Sequence, residues 1–318
     1  MNETLIGTDG RWVLRFERRL THPVEKVWRA ITEPAELSGW FPADMEMDLQ
    51  EGGKILFVFR EGEGPTQDGS IVELDPPRVF AYTWGDDLLR WELWPEDGGC
   101  RLVFTHTFDD RPSAASFAAG WTICLAALHR VAAGQPVEPA LHRWPELHDG
   151  YVEQFGLAFG TVQETPEGWV VRFERQLTSP VEAAWAALTG ADAGTPGADP
   201  LAAADLAAGG PAPRRVSNDL VPAGVVTAVR PPNLLETDWR FEGRPVGRVR
   251  WELSDGRGGA RLTLAQTGPA ELAAHRATAL AAWHTQLELL ADHLRGRTRP
   301  WPEGRTEELT RHYADLIG

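Results

Sequence analysis

The sequence predicts an α+β protein built twice over: two tandem copies of one domain, each an antiparallel sheet covered by a long helix near its C-terminal end. Three observations predict it. Residues 12–32, WVLRFERRLTHPVEKVWRAIT, return at 169–189 as WVVRFERQLTSPVEAAWAALT, with fourteen of the 21 positions identical. Each copy then runs through short alternating segments separated by turn residues, the mark of an antiparallel meander. Each closes on an apolar pattern of helical period. A solenoid unit repeats every roughly 20 to 50 residues, so a repeat this long is a complete domain.

The first element is a strand. In WVLRFERRL, Trp12, Leu14 and Phe16 alternate with Val13, Arg15 and Glu17, the period of a half-buried strand. A helix follows, with Val24, Val27, Trp28 and Ile31 at i, i+3, i+4 and i+7, matched by Val181, Ala184, Trp185 and Leu188. Ser179-Pro180-Val181-Glu182 reads as a capping box with proline in the first turn; copy one has His22 in the capping place. Strands are then expected at 54–59, 70–74, 79–84, 90–94 and 101–108, bounded by GEGPTQDG, DPP, GDD and PEDGG. Phe80, Tyr82 and Trp84 share one face, as do Leu102, Phe104, His106 and Phe108, so the sheet has an apolar side that needs a cover. Residues 113–133 supply it, with Phe117, Trp121, Leu125 and Leu128 at helical spacing before Gly134 and Pro136; in copy two Leu272, Trp283, Leu287, Leu290 and Leu294 precede Gly296.

The copies stay parallel to their ends. IVELDPPRVFAYTW (71–84) matches VVTAVRPPNLLETDW (225–239), RLVFTHT (101–107) matches RLTLAQT (261–267), and RWPELHDGYVEQFG and PWPEGRTEELTRHYADLIG close the two copies. This places the domains at 1–158 and 159–318. Around 190–218 the second copy is degenerate: alanine, glycine and proline replace the aromatic-bearing EPAELSGWFPADMEMDLQ, which points to a lost WF pair and a lost strand.

The 318 residues carry a formal net charge of −15, which repels phosphate backbones, and no basic stripe offsets it, so nucleic acid is not an expected partner. No run of about 18 apolar residues stands out and no basic segment leads into an apolar one at the start, so a membrane is not expected and a cytoplasmic location is. Cys100, in an expected turn, and Cys124, in an expected helix, give no disulfide framework. Fourteen tryptophans suit large cores or an aromatic-lined cavity, and both readings can hold together.

The opening FERRLTHPVEKVWRAITEPAELSGWF, the WEL strand, the strand ending THTF and the GW of the long helix resemble a known family. They are similar to the START-like, or SRPBCC, helix-grip superfamily shared with pollen allergens. Within it they resemble homologues of the activator of heat-shock-protein-90 ATPase, over 10–135 and more loosely 167–296. The resemblance implies tandem helix-grip domains. In each, a curved antiparallel β-sheet wraps a long C-terminal α-helix and leaves an elongated apolar cavity between them. It puts Trp40 and Phe41 at the cavity mouth of copy one. The inward faces then add Phe57, Tyr82, Trp84, Trp91, Phe104 and His106 from strands, and Phe117, Trp121 and Leu125 from the helix, as candidate ligand-binding residues.

Three functions compete on this reading. One is binding or sequestration of a small hydrophobic or aromatic molecule, mainly in copy one. Another is co-chaperone regulation of a heat-shock-protein-90 ATPase, with the chaperone as partner. The last is a cyclase or hydrolase of the aromatic-polyketide type, for which His106 and Tyr82 are the only inward polar groups on offer. No nucleophile elbow, phosphate loop or dinucleotide fingerprint occurs, so binding is favoured over catalysis and no cofactor is implied. His106 itself reads as a buried histidine satisfied by a neighbour, as a polar handle for a ligand, or as an acid or base. His275, His284 and His293 are nine apart, which alternates helix faces and disfavours a metal site. Asp44, Glu46 and Asp48 alternate with Met45, Met47 and Leu49 and read as the solvent side of a strand. The apolar positions in the two tails suggest an intramolecular pseudo-dimer of the copies.

Overall fold

The structure, a computed structural model, describes residues 3–60, 65–138, 140–190 and 206–317. It divides into two compact units, Met1–Phe155 and Gly156–Gly318. The break falls where Gly156 takes a left-handed φ of +60° after the last helix of the first unit, a conformation that glycine adopts without strain.

The first unit begins with a hairpin, β1 (Thr4–Thr8) and β2 (Arg11–Leu20), turned at Asp9-Gly10, where both residues have positive φ. A helix pair follows, α1 (Val24–Thr32) and α2 (Pro34–Leu37). Six strands come next: β3 (Asp44–Met47), β4 (Lys54–Val58), β5 (Gln67–Asp75), β6 (Val79–Trp84), β7 (Asp87–Glu96) and β8 (Gly99–Phe108). They join the hairpin in one antiparallel sheet of order β1-β2-β8-β7-β6-β5-β4-β3. The long helix α3 (Ala114–Ala132) covers the concave face with Trp121, Leu125 and Leu128, all buried, and α4 (Trp144–Gln154) packs on α3. By length and composition the α3 segment is apolar enough to cross a bilayer, contrary to the sequence expectation; its burial against the sheet explains that composition.

The second unit repeats the plan with fewer strands. β9 (Thr161–Thr165) and β10 (Gly168–Gln176) lead to α5 (Val181–Thr189); then come β11 (Ala223–Arg230), β12 (Leu234–Phe241), β13 (Arg244–Gly256), β14 (Gly259–Pro269), the long α6 (Arg276–Leu294) and α7 (Arg305–Ile317). The sheet order is β11-β12-β13-β14-β10-β9. Among the described residues between α5 and β11 there is a 3-10 turn, Arg214–Val216, and no counterpart of β3 or β4. Residues 191–205, part of the segment read as degenerate, lie outside the described residues.

Some local expectations are corrected. Ser179 makes no side-chain cap: Pro180 itself is the extended residue before α5, and its carbonyl starts the helical hydrogen bonding. Pro23 plays the same part before α1 in place of His22. Cys100 lies buried within β8, because the hairpin turn is tighter than PEDGG suggests, and both cysteines are free. Leu272 sits in a 3-10 segment before α6 and outside its helical stripe.

Of the tails that suggested a pseudo-dimer, Tyr151, Leu309 and Tyr313 are buried, whereas Trp301 and Leu316 are exposed. The Tyr151 hydroxyl lies 2.6 Å from Thr122 Oγ1 on α3. In unit two the Tyr313 hydroxyl lies 2.9 Å from His284 Nδ1 on α6 and accepts from the Gly160 N–H at 3.0 Å. Beneath α7, Glu288 meets both His284 (3.3 Å) and Arg305 (2.7 Å). Burial would raise the Glu288 carboxyl, but the hydrogen bonds from His284 and Arg305 hold it down to about 2. Burial also lowers His284.

Candidate ligand-binding site

The concave face of unit one is built from alternate residues of adjacent strands, and the register decides which side chains meet. Tyr82 on β6 pairs with Leu89 on β7, which pairs with His106 on β8; two residues along, Phe80, Trp91 and Phe104 form the next row. Trp91 stacks on Phe104 with ring centroids 4.0 Å apart. Trp121 descends from α3 onto Phe104 at 4.5 Å. Toward the short strands, Phe57 of β4 stacks on Trp84 at 4.9 Å, and Phe41 meets Trp84 at 5.4 Å and Trp121 at 5.9 Å. Trp40 stands edge-on to Trp91 at 5.5 Å, and His106 meets Phe117 at 4.4 Å. All ten candidate aromatic and histidine rings thus belong to one continuous cluster. Leu125 is buried one turn along α3 from Trp121.

The residues expected at the mouth are placed deeper than that. Trp40 is 5% exposed, and its Nε1 donates to the Ala30 carbonyl at the end of α1 at 2.8 Å, which makes it a wall of the interior. Phe41 is buried beside it. The partly exposed rings of the cluster are Trp84, Phe117, Trp28 and Phe59, the last not among the expected binding residues. Phe59 stacks on Trp84 at 5.9 Å. On α3, a Cβ added to Gly120 would meet no heavy atom within 4 Å, so the helix is open there.

The interior polar groups are engaged with one another. Trp121 Nε1 donates to His106 Nδ1 at 3.0 Å. An accepting Nδ1 carries no proton, so the neutral imidazole holds its proton on Nε2 and donates it to Asp87 Oδ2, also at 3.0 Å. His106 is 2% exposed, and of its three sequence readings this is the satisfied buried histidine. Asp87 was missed because GDD reads as a turn; counting back from Trp91 by twos would have put it on the inward face. The Tyr82 phenol lies beside the Trp91 side chain, and burial pushes it well above the ordinary range. Burial likewise pushes the Cys124 thiol up to about 12. Asp44, Glu46 and Asp48 are exposed and take no part.

The family model described as "Activator of Hsp90 ATPase homolog 1-like protein" matches residues 21–133 and again 178–295. The chain belongs to that family. As an activator of Hsp90 ATPase homologue it carries the family domain twice, in tandem helix-grip folds. Among solved structures, this family member is similar to CalU16 from Micromonospora echinospora, with 22% identity over 48% of this chain and 96% of that one and a TM-score of 0.40. It is similar too to the conserved protein of unknown function EF2215 from Enterococcus faecalis, at 20% identity over 48% and 90% of the two chains, TM-score 0.42. The protein encoded by BPP1335 of Bordetella parapertussis matches at 27% identity over 45% and 86%, TM-score 0.39. No curated protein matches the chain.

Proposed function

We propose that the chain binds a small apolar or aromatic molecule in the helix-grip interior of copy one. The observation that carries this reading is the continuous ring cluster, of which Trp84, Phe59 and Phe117 keep part of their faces accessible. Offset or edge contacts to such rings add about 0.5–1.5 kcal/mol per aromatic pair beyond area burial, so a planar ligand gains from several at once. Acid–base chemistry is disfavoured, because His106 uses both ring nitrogens and burial keeps the Tyr82 phenol protonated.

The test uses diphenylhexatriene, a hydrocarbon that fluoresces in apolar surroundings, with Trp84→Ala compared against its copy-two counterpart Trp239→Ala. Loss of probe binding confined to Trp84→Ala supports the reading. Equal binding by both variants and the parent chain would remove its basis. The family's description names a chaperone ATPase as the other class of partner, and capture of that chaperone with no small molecule retained would turn the reading to it.

A further inference from the structure

The two concave faces can be compared position by position, because the same register runs through both. Tyr82, Leu89 and His106 in unit one correspond to Thr237, Val249 and Gln266 in unit two. Trp91 corresponds to Trp251, and Asp87 to Gly247. In unit one the Tyr82 phenol lies beside the Trp91 indole, and His106 Nε2 has Asp87 as its acceptor. Unit two keeps the donors and has lost both the phenol and the carboxylate.

The losses are residue-specific. Threonine replaces the phenol that stands beside Trp91 in unit one, and Trp251 Nε1 and Thr237 Oγ1 are both buried with no hydrogen-bond partner. Gln266 Oε1 accepts from Trp283 Nε1 at 2.6 Å, which fixes the amide's orientation and turns Nε2 away from α6. Where Asp87 would receive that N–H there is Gly247. A Cβ at this position would run into Thr267 O and Trp239 Nε1, so no side chain can supply the acceptor. Gln266 Nε2 accordingly has no partner either. Thr237, Trp251 and Gln266 are 0%, 1% and 1% exposed; on one face Thr237 and Gln266 flank Val249 from the two neighbouring strands, and Trp251 lies diagonal to both. A buried polar group left unpaired is costly, so three around Val249 mark a place built to be completed by something else.

We infer that unit two holds a second binding site, for a neutral molecule that presents a carbonyl oxygen to Thr237, Trp251 and Gln266. The donors specify an acceptor. The surrounding Leu235, Val249 and Leu264 are apolar, which selects an uncharged ketone, quinone or lactone over a carboxylate. Where unit one has the Tyr82 ring, unit two has only the short Thr237 side chain, and the ligand's own ring takes that place. This site goes beyond the apolar binding proposed for copy one and stands or falls separately from it.

The experiment is calorimetric titration of the full chain with 2-acetylnaphthalene and with 2-isopropenylnaphthalene, which has the same shape but carries a methylene group where the ketone has its oxygen. The ketone is expected to bind about tenfold more tightly, or about 1.4 kcal/mol. Thr237→Val and Trp251→Phe should each shrink that preference at least threefold, with the carbonyl stretch of bound ketone moving back to higher wavenumber. Thr237→Tyr restores the copy-one phenol and fills that place, so it should abolish ketone binding and leave diphenylhexatriene binding intact. Equal affinity for the two naphthalenes, no ketone binding, or a preference unchanged in both Thr237→Val and Trp251→Phe would overturn the inference. Diphenylhexatriene binding that still depends on Trp84 would then leave the copy-one proposal standing.

Discussion

Replacing His106 separates a positioned hydrogen-bond relay from mere bulk. His106→Leu keeps an apolar side chain of related size in β8 but removes the acceptor of Trp121 Nε1 and the donor to Asp87, each now 3.0 Å from an imidazole nitrogen. A buried N–H left without a partner costs about 1–3 kcal/mol, and Asp87, whose side chain is 15% exposed, recovers part of its loss from water. The sum is about 2–4 kcal/mol, and for a domain of this size each kcal/mol moves the midpoint by about 2–4 °C. His106→Gln should cost less than about 1 kcal/mol. Copy two already shows the geometry, with Gln266 Oε1 accepting from Trp283 at 2.6 Å, and in copy one the glutamine Nε2 would find Asp87. Scanning calorimetry of the full chain, supported by urea midpoints, reads both variants. If glutamine destabilised as much as leucine, or leucine had no effect, the relay would not be what holds Trp121 and Asp87 in place.

The docking of α7 should be acid-labile. Folded His284 resists protonation, so stability is lost as pH falls below the ordinary histidine value of 6.5; Glu288, held at about 2 against an ordinary 4.5, adds a further loss between those two values. Discounted for its partial exposure, the Glu288 part amounts to about 1–2 kcal/mol. Hydrogen exchange of α7 at pH 7 and pH 4, corrected for the intrinsic exchange rates, checks this: protection of α7 that did not fall at pH 4 would refute it. Ser179→Ala should leave the thermal midpoint of the chain within about 1 °C, since its side chain caps nothing, whereas a working N-cap is worth about 1 kcal/mol. Trp40→Phe should cost about 1–3 kcal/mol in urea, because it leaves the Ala30 carbonyl without the indole N–H and removes buried ring.

Much of this architecture can be read in the residues because the periods are strong. The alternation of Phe80, Tyr82 and Trp84, and of Phe104, His106 and Phe108, sets which side of the sheet faces α3, and the Trp121, Leu125, Leu128 spacing sets the face that answers. Ten of the eleven candidate residues meet ring to ring as those patterns imply. What escaped is instructive. The edge strand β1 is short and mostly exposed, and its only signal was the Asp9-Gly10 turn. The depth of Trp40 depends on a tertiary hydrogen bond to Ala30 that no local pattern encodes. The tails were read as surplus because an apolar stripe names no partner; Tyr151 and Tyr313 find theirs on α3 and α6 of their own units. The polar imbalance of copy two appears only when Tyr82 and Asp87 are compared with Thr237 and Gly247 across a known register.

Native mass spectrometry of the full chain purified from its own host, sprayed under conditions that preserve non-covalent complexes, tests the central claim of small-molecule binding most directly. The account predicts a population heavier than the bare chain by the mass of one small molecule, released on mild activation and depleted in Trp84→Ala. A spectrum of bare chain alone, from protein never exposed to detergent or solvent and with Trp84→Ala indistinguishable from the parent, would contradict it.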